Sequence, residues 1–141
     1  MTTLRLIYPM FAMVVLTATV LVMLFRSRVH AMRTGVAPPE FFRVYQGGSE
    51  PLASAPAARH FVNLFEAPVL FYAACLAAMV AGLGDTLTLG FAWAYVAARA
   101  LHAIVHLRGN RLRKRAAAYG VSWLMLLGLW LSIVLRVAQM P

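Results

Sequence analysis

The stretch RHFVNLFEAPVLFYAACLAAMVAG, residues 59–82, combines a long apolar run with polar and charged side chains near its start. From Phe61 onward it is apolar for about 20 residues, the length that a helix needs to cross a hydrocarbon core of about 30 Å. Its first two turns nevertheless carry Asn63 and Glu66. An acidic side chain at the centre of a span costs roughly 2.5–3.5 kcal/mol on insertion scales, so such residues are paired or functional. Pro68 predicts a kink close to Glu66 because it has no N–H for the helix ladder.

Three more apolar stretches have the same length. The predicted spans are, approximately, residues 6–25, 61–81, 86–107 and 116–137. The chain has 141 residues, of which 62% are hydrophobic and 12% are charged, a composition that excludes a disordered protein and is extreme for a soluble one. We therefore predict an all-α integral membrane four-helix bundle that forms a single domain over residues 1–141.

The net charge of +9 is concentrated in two of the three connections. Residues 26–60 and 108–115 are rich in arginine, whereas the turn GLGDT, residues 82–86, has no basic residue. The positive-inside rule then predicts that both basic loops are cytoplasmic and both termini are not. Helical spans favour a bacterial inner membrane over an outer membrane, where barrels are the rule. Since the charge is explained by topology and by attraction to anionic lipid, we expect no nucleic-acid partner.

Two polar stripes lie in the same cytoplasmic half of the predicted bundle. Arg59, Asn63 and Glu66 are four and three residues apart, which places them on one helix face. The third span carries a matching stripe, at spacings of three and four: Arg99, His102 and His106. Arg99 is the expected cation partner of Glu66.

The purpose of these stripes is open to two interpretations. Buried polar groups commonly join helices in membrane bundles without any ligand. One glutamate facing several arginines, however, is under-neutralised and suits an anionic ligand. A metal bound by His102, His106 and Glu66 is disfavoured because the arginines repel a cation, so the sequence predicts no metal site.

Three segments resemble one family. RHFVNLFEAPVLF (59–71), RALHAIVH (99–106) and RAAAY (115–119) resemble the MAPEG superfamily, membrane-associated proteins in eicosanoid and glutathione metabolism, and most of all its bacterial branch. The resemblance covers nearly the whole chain, and the Arg-x-x-x-Asn-x-x-Glu pattern is its most specific part.

The resemblance implies a homotrimer that binds glutathione between neighbouring subunits towards the cytoplasmic side. It implies that Arg115 is catalytic, as the arginine that stabilises the glutathione thiolate. The positions that it implies for glutathione binding are Arg26, Arg28, Arg59, Asn63, Glu66, Arg99, His102, His106 and Tyr119. His106 stands where the better-known glutathione-using members have a tyrosine.

The expected function is glutathione-dependent transferase or peroxidase chemistry on a lipophilic electrophile that arrives from the bilayer. The first alternative is a non-catalytic small membrane subunit or scaffold, in which the polar stripes serve packing alone. A lipid-binding or isomerase activity on another anionic ligand is the second.

Overall fold

The computed structural model describes residues 3–45, 49–109 and 111–140, and these residues form helices and short connections. After a 3-10 turn at Thr3–Leu6 come α1 (Ile7–Arg33), α2 (Pro39–Val44), α3 (Ala55–Asn63), α4 (Ala67–Val80), α5 (Thr86–Arg108) and α6 (Leu112–Val137).

Four helical segments within the described ranges are long and apolar enough to cross a membrane: Thr3–Arg33, Ala55–Val80, Thr86–Arg108 and Leu112–Val137. The predicted integral membrane four-helix bundle is confirmed. The first helix continues beyond the predicted span, past residue 25 to Arg33.

Apolar side chains both fill the bundle and cover its outside. In the core, the rings of Phe71 and Tyr95 stack with centroids 4.6 Å apart, and Met13 and Leu129 are fully buried beside them. The outward face carries large apolar side chains such as Leu124, which is 62% exposed. In a membrane such residues face lipid, because there an apolar outer surface costs nothing in solvation.

The second span is interrupted where the sequence predicts a kink. α3 ends at Asn63 and α4 begins at Ala67, and Glu66 has backbone angles of φ −94° and ψ −93°, outside the helical region. Pro68 lies in the first turn of α4, where its missing N–H is tolerated. Because of this break, Glu66 sits at a junction between two helices and its side chain is exposed.

At the opposite end, Asp85 joins two spans. Its carboxylate accepts a 3.0 Å hydrogen bond from the backbone N–H of Thr88 and so caps α5. It also forms an ion pair with Arg136 in the last turn of α6. The hydrogen bond from Arg136 lowers the pKa of Asp85 to about 2, so this link persists in mild acid.

The connection between the first two spans is tied to α1 by Arg28. Its Nε and Nη2 donate to the two carboxylate oxygens of Glu50 at 3.0 and 2.9 Å, and its Nη1 donates to the hydroxyl of Tyr45 at 2.9 Å. Burial opposes ionisation of Glu50, but hydrogen bonds from Arg28 and Ser54 outweigh it and lower the pKa of that carboxyl. Such a bidentate pair holds the connection in one orientation.

Candidate functional site

A cavity of about 390 Å³ opens between α3, the junction after it, α5 and α6. Seven of its nine lining residues are polar or charged types; the nine are Arg59, Asn63, Glu66, His102, His106, Leu112, Arg115, Ala116 and Tyr119. Its volume lies in the range of small-molecule sites, about 300–1,000 Å³. The cavity brings together both polar stripes and the start of the fourth span.

A chain of hydrogen bonds runs from the buried side of the cavity to its exposed side. Arg99 is fully buried, and its Nη2 donates to the side-chain oxygen of Asn63 at 2.6 Å and to the Asn63 carbonyl at 3.2 Å. The Asn63 amide then donates to Glu66 Oε2 at 2.9 Å. The expected pairing of Arg99 with Glu66 is therefore indirect, because Asn63 stands between them.

Tyr119 and Arg115 contribute the wall formed by α6. The Tyr119 ring lies 5.9 Å from the guanidinium carbon of Arg99 and 5.5 Å from the centroid of His102. His102 Nδ1 is 3.2 Å from the carbonyl oxygen of Arg115, and since a carbonyl only accepts, Nδ1 carries the proton. The start of α6 is thus fastened to α5 beside the cavity.

Seven of the ten residues predicted for the site line this cavity. They are Arg59, Asn63, Glu66, His102, His106, Arg115 and Tyr119. Arg99 stands directly behind them, held by Asn63.

Two predicted residues lie elsewhere. Arg28 is paired with Glu50, and Arg26 borders a separate depression on α1 with His30 and Arg33. Within the described part of the chain they do not line the cavity, so their contact with a ligand stays a prediction.

His60 is a residue of the site that the sequence prediction missed. It is fully buried on α3, and its ring centroid lies 5.2 Å from that of His102 and 5.1 Å from that of His106. Its spacing of three residues from Asn63 was the available signal, because residues three apart share a helix face.

The charges around the cavity fit an anion that also carries one positive group. Arg59 and Arg115 line the space, Arg99 lies behind it, and Glu66 is the acidic residue of the lining. Guanidinium groups bind carboxylates in bidentate fashion, while a single carboxylate suits an ammonium group. Tyr119 adds a hydroxyl group.

The sequence model of the MAPEG family matches residues 6–135. The chain belongs to the MAPEG family. No curated protein and no solved structure is significantly similar to this MAPEG protein. Family membership and the apolar helices together make it an integral membrane protein, and they support, in general terms, a glutathione-related membrane function.

Proposed function

We propose that this MAPEG protein is a glutathione-dependent membrane transferase or peroxidase that acts on a lipophilic electrophile. Glutathione is the co-substrate and binds between neighbouring subunits at the cytoplasmic side, in the cavity between α3, α5 and α6. The electrophile reaches it from the bilayer. Arg115 is the catalytic residue, and the other polar residues of the lining hold the tripeptide.

The observation that carries this proposal is the match between the charges of the cavity and those of glutathione. Glutathione has two carboxylates and one ammonium group. The cavity offers Arg59 and Arg115 for carboxylate or thiolate groups, with Glu66 at its exposed end for the ammonium. An arginine next to the sulfur lowers the pKa of the thiol and raises the fraction of reactive thiolate at neutral pH.

The chain of hydrogen bonds from the buried Arg99 to the exposed Glu66 supports the same function. Arg99 orients Asn63, and Asn63 in turn orients the Glu66 carboxylate at the mouth of the cavity. A binding group fixed in this way loses little conformational entropy when a ligand arrives, which favours affinity.

The experiment is an ultraviolet titration of the purified protein in detergent with glutathione at neutral pH. A saturable thiolate absorbance is expected for the wild type and strongly reduced in Arg115→Ala. Arg113→Ala is the matched control, since Arg113 is an exposed arginine on the same helix that does not line the cavity. Equal signals in Arg115→Ala and the wild type would remove Arg115 from the mechanism, and a wild type that neither forms thiolate nor binds glutathione in calorimetry would refute the proposal.

The remaining parts of the proposal concern assembly and location. We propose a homotrimer in a bacterial inner membrane, with loops 26–60 and 108–115 in the cytoplasm and both termini on the other side. Native mass spectrometry of the detergent-solubilised protein tests the trimer. Reporter fusions after the loop at residues 108–115 and at the C-terminus test the orientation, and equal reporter signals at both positions would contradict it.

The rival function is a non-catalytic membrane subunit. The hydrogen bonds from Arg99 to Asn63 and from Asn63 to Glu66 favour it, because these groups bind one another without a ligand. Under that function, Glu66→Gln alters the stability of the assembly, and glutathione changes neither absorbance nor stability. Co-purification with a larger membrane complex, together with a flat glutathione titration, would favour the rival.

A further inference from the structure

Three buried histidines from two helices meet beside the cavity. His60 comes from α3, His102 and His106 from α5, and their ring centroids are 5.1–5.5 Å apart. One ring nitrogen of each lies within 4.8 Å of those of the other two. These are three of the four histidines in the chain.

Each histidine of this cluster offers one ring nitrogen to a shared ion. Because His102 Nδ1 donates to the Arg115 carbonyl, its Nε2 carries a free lone pair. A metal-ligating histidine typically donates its other N–H to a carbonyl or carboxylate in the same way. Both ring nitrogens of His60 and of His106 are buried without a hydrogen-bond partner among the described residues. Leaving a buried polar group unsatisfied costs about 1–3 kcal/mol, so a bound ion that took up one lone pair from each ring would be stabilising.

We propose that His60, His102 and His106 bind one divalent transition-metal ion of the zinc type, with its fourth position facing the cavity. Three neutral imidazoles are a known ligand set for zinc with one open position. Zn–N bonds of about 2.0–2.1 Å in a tetrahedral site place the nitrogens about 3.4 Å apart, so the rings must close by about 1.4 Å at most. Rotations of the side chains supply a movement of that size.

The arginines that surround the cluster determine the fourth ligand. Arg59, Arg99 and Arg115 face the cluster from α3, α5 and α6, and Glu66 is exposed at the mouth of the cavity. Three uncharged ligands leave the full charge of the ion in place, so an anion from the cavity that completes the site strengthens binding. Metal and anion therefore bind cooperatively, each raising the affinity for the other. This proposal replaces the sequence-based prediction of no metal, which took Glu66 rather than His60 as the third ligand.

The test uses Co²⁺ as a spectroscopic probe for the site and Zn²⁺ as its competitor. The full chain is purified through an affinity tag without histidine, stripped with a chelator, and titrated with Co²⁺ in the presence of azide as the anion. Visible absorption bands of tetrahedral intensity are expected at one Co²⁺ per chain and should disappear when Zn²⁺ is added. Without azide, the Co²⁺ affinity should be lower.

His30→Gln is the matched control, since His30 is the one exposed histidine among the described residues and lies on α1, outside the cluster. It should bind Co²⁺ as the wild type does. His60→Gln, His102→Gln and His106→Gln should each lose more than the roughly 10–100-fold in affinity that removal of an outer-shell partner costs. Three separate variants keep the test valid if one of them fails to fold, as judged by helix content and elution volume.

Two results would overturn the proposal. One is an absence of tetrahedral bands in the wild type with azide present. The other is Co²⁺ binding that survives all of the folded cluster variants. The outcome is independent of glutathione, because the titration contains none, and the thiolate experiment can be run on chelator-treated protein.

Discussion

Asn63 accepts a hydrogen bond from Arg99, the most deeply buried charged residue of the site. Removing the Asn63 side chain is the sharpest test of how the site is built. Asn63→Ala deletes the 2.6 Å hydrogen bond to Arg99 and leaves only the longer bond to the Asn63 carbonyl. Arg99 is fully buried, and its Nε and Nη1 have no hydrogen-bond partner within the described residues, so both bonds to Asn63 come from Nη2. Hydrogen bonds to charged groups contribute about 1.5–3 kcal/mol, so Asn63→Ala should lower the free energy of unfolding by that amount.

The matched control is Glu66→Gln, at the other end of the same chain of hydrogen bonds. Glu66 is exposed and its bond with Asn63 is open to solvent, so the change should cost at most about 0.5 kcal/mol. Asn63→Asp keeps an acceptor for Arg99 and should recover part of the loss.

The assay is unfolding in mixed micelles with increasing SDS, followed by helix content and tryptophan fluorescence. The free energies of unfolding should rank as wild type, Glu66→Gln, Asn63→Asp and Asn63→Ala, from most to least stable. Equal stability of Asn63→Ala and Glu66→Gln would contradict this prediction, because Arg99 would then not depend on Asn63.

Two further predictions concern packing and pH. An added Cβ at Gly128 would lie 2.5 Å from Cε1 of Phe91, so Gly128→Ala should lower the free energy of unfolding by about 1–3 kcal/mol. Gly120→Ala, on the same helix, meets open space and should raise it by about 0.5–1 kcal/mol. Equal thermal midpoints of the two variants would contradict this packing. The pKa of Glu50 is lowered in the folded protein by its pairing with Arg28. This pairing therefore stabilises the fold at pH values above the unfolded pKa of about 4.3, and the stabilisation is lost as the pH falls through the folded pKa. Stability measured from neutral to acidic pH should therefore fall by about 1 kcal/mol more in the wild type than in Glu50→Gln, and parallel curves would exclude this role.

Much of the fold follows from the sequence because hydropathy and helical spacing are local properties. Span length predicted the four membrane spans, and Pro68 marked the break in the second one. The spacing of Arg59, Asn63 and Glu66 correctly indicated that they share one polar region with His102 and His106 of the third span, since all five line the same cavity.

What the sequence could not give is the arrangement across helices. Glu66 and Arg99 have opposite charges at matching depths, which suggests direct contact, yet the break before α4 turns Glu66 outward and Asn63 fills the space between them. His60 was missed because a histidine next to an arginine is typical of the basic end of a membrane span. Its place in the site is visible only in the structure, where α5 packs against it. Arg28 is paired by Glu50, a residue in an irregular connection whose path no periodic pattern describes.

The interruption at residues 64–66 also has a consequence for how substitutions are tolerated along the second span. An uninterrupted helix has one lipid-facing side, and tolerance to bulky or polar replacements repeats every 3.6 residues with a constant phase. Here the phase must reset between Asn63 and Ala67. In a saturation mutagenesis scan of this span, tolerance should therefore follow one helical periodicity before the break and another, with a different phase, after it. Homologous sequences that keep the break should show correlated changes within each of the two segments but not between them.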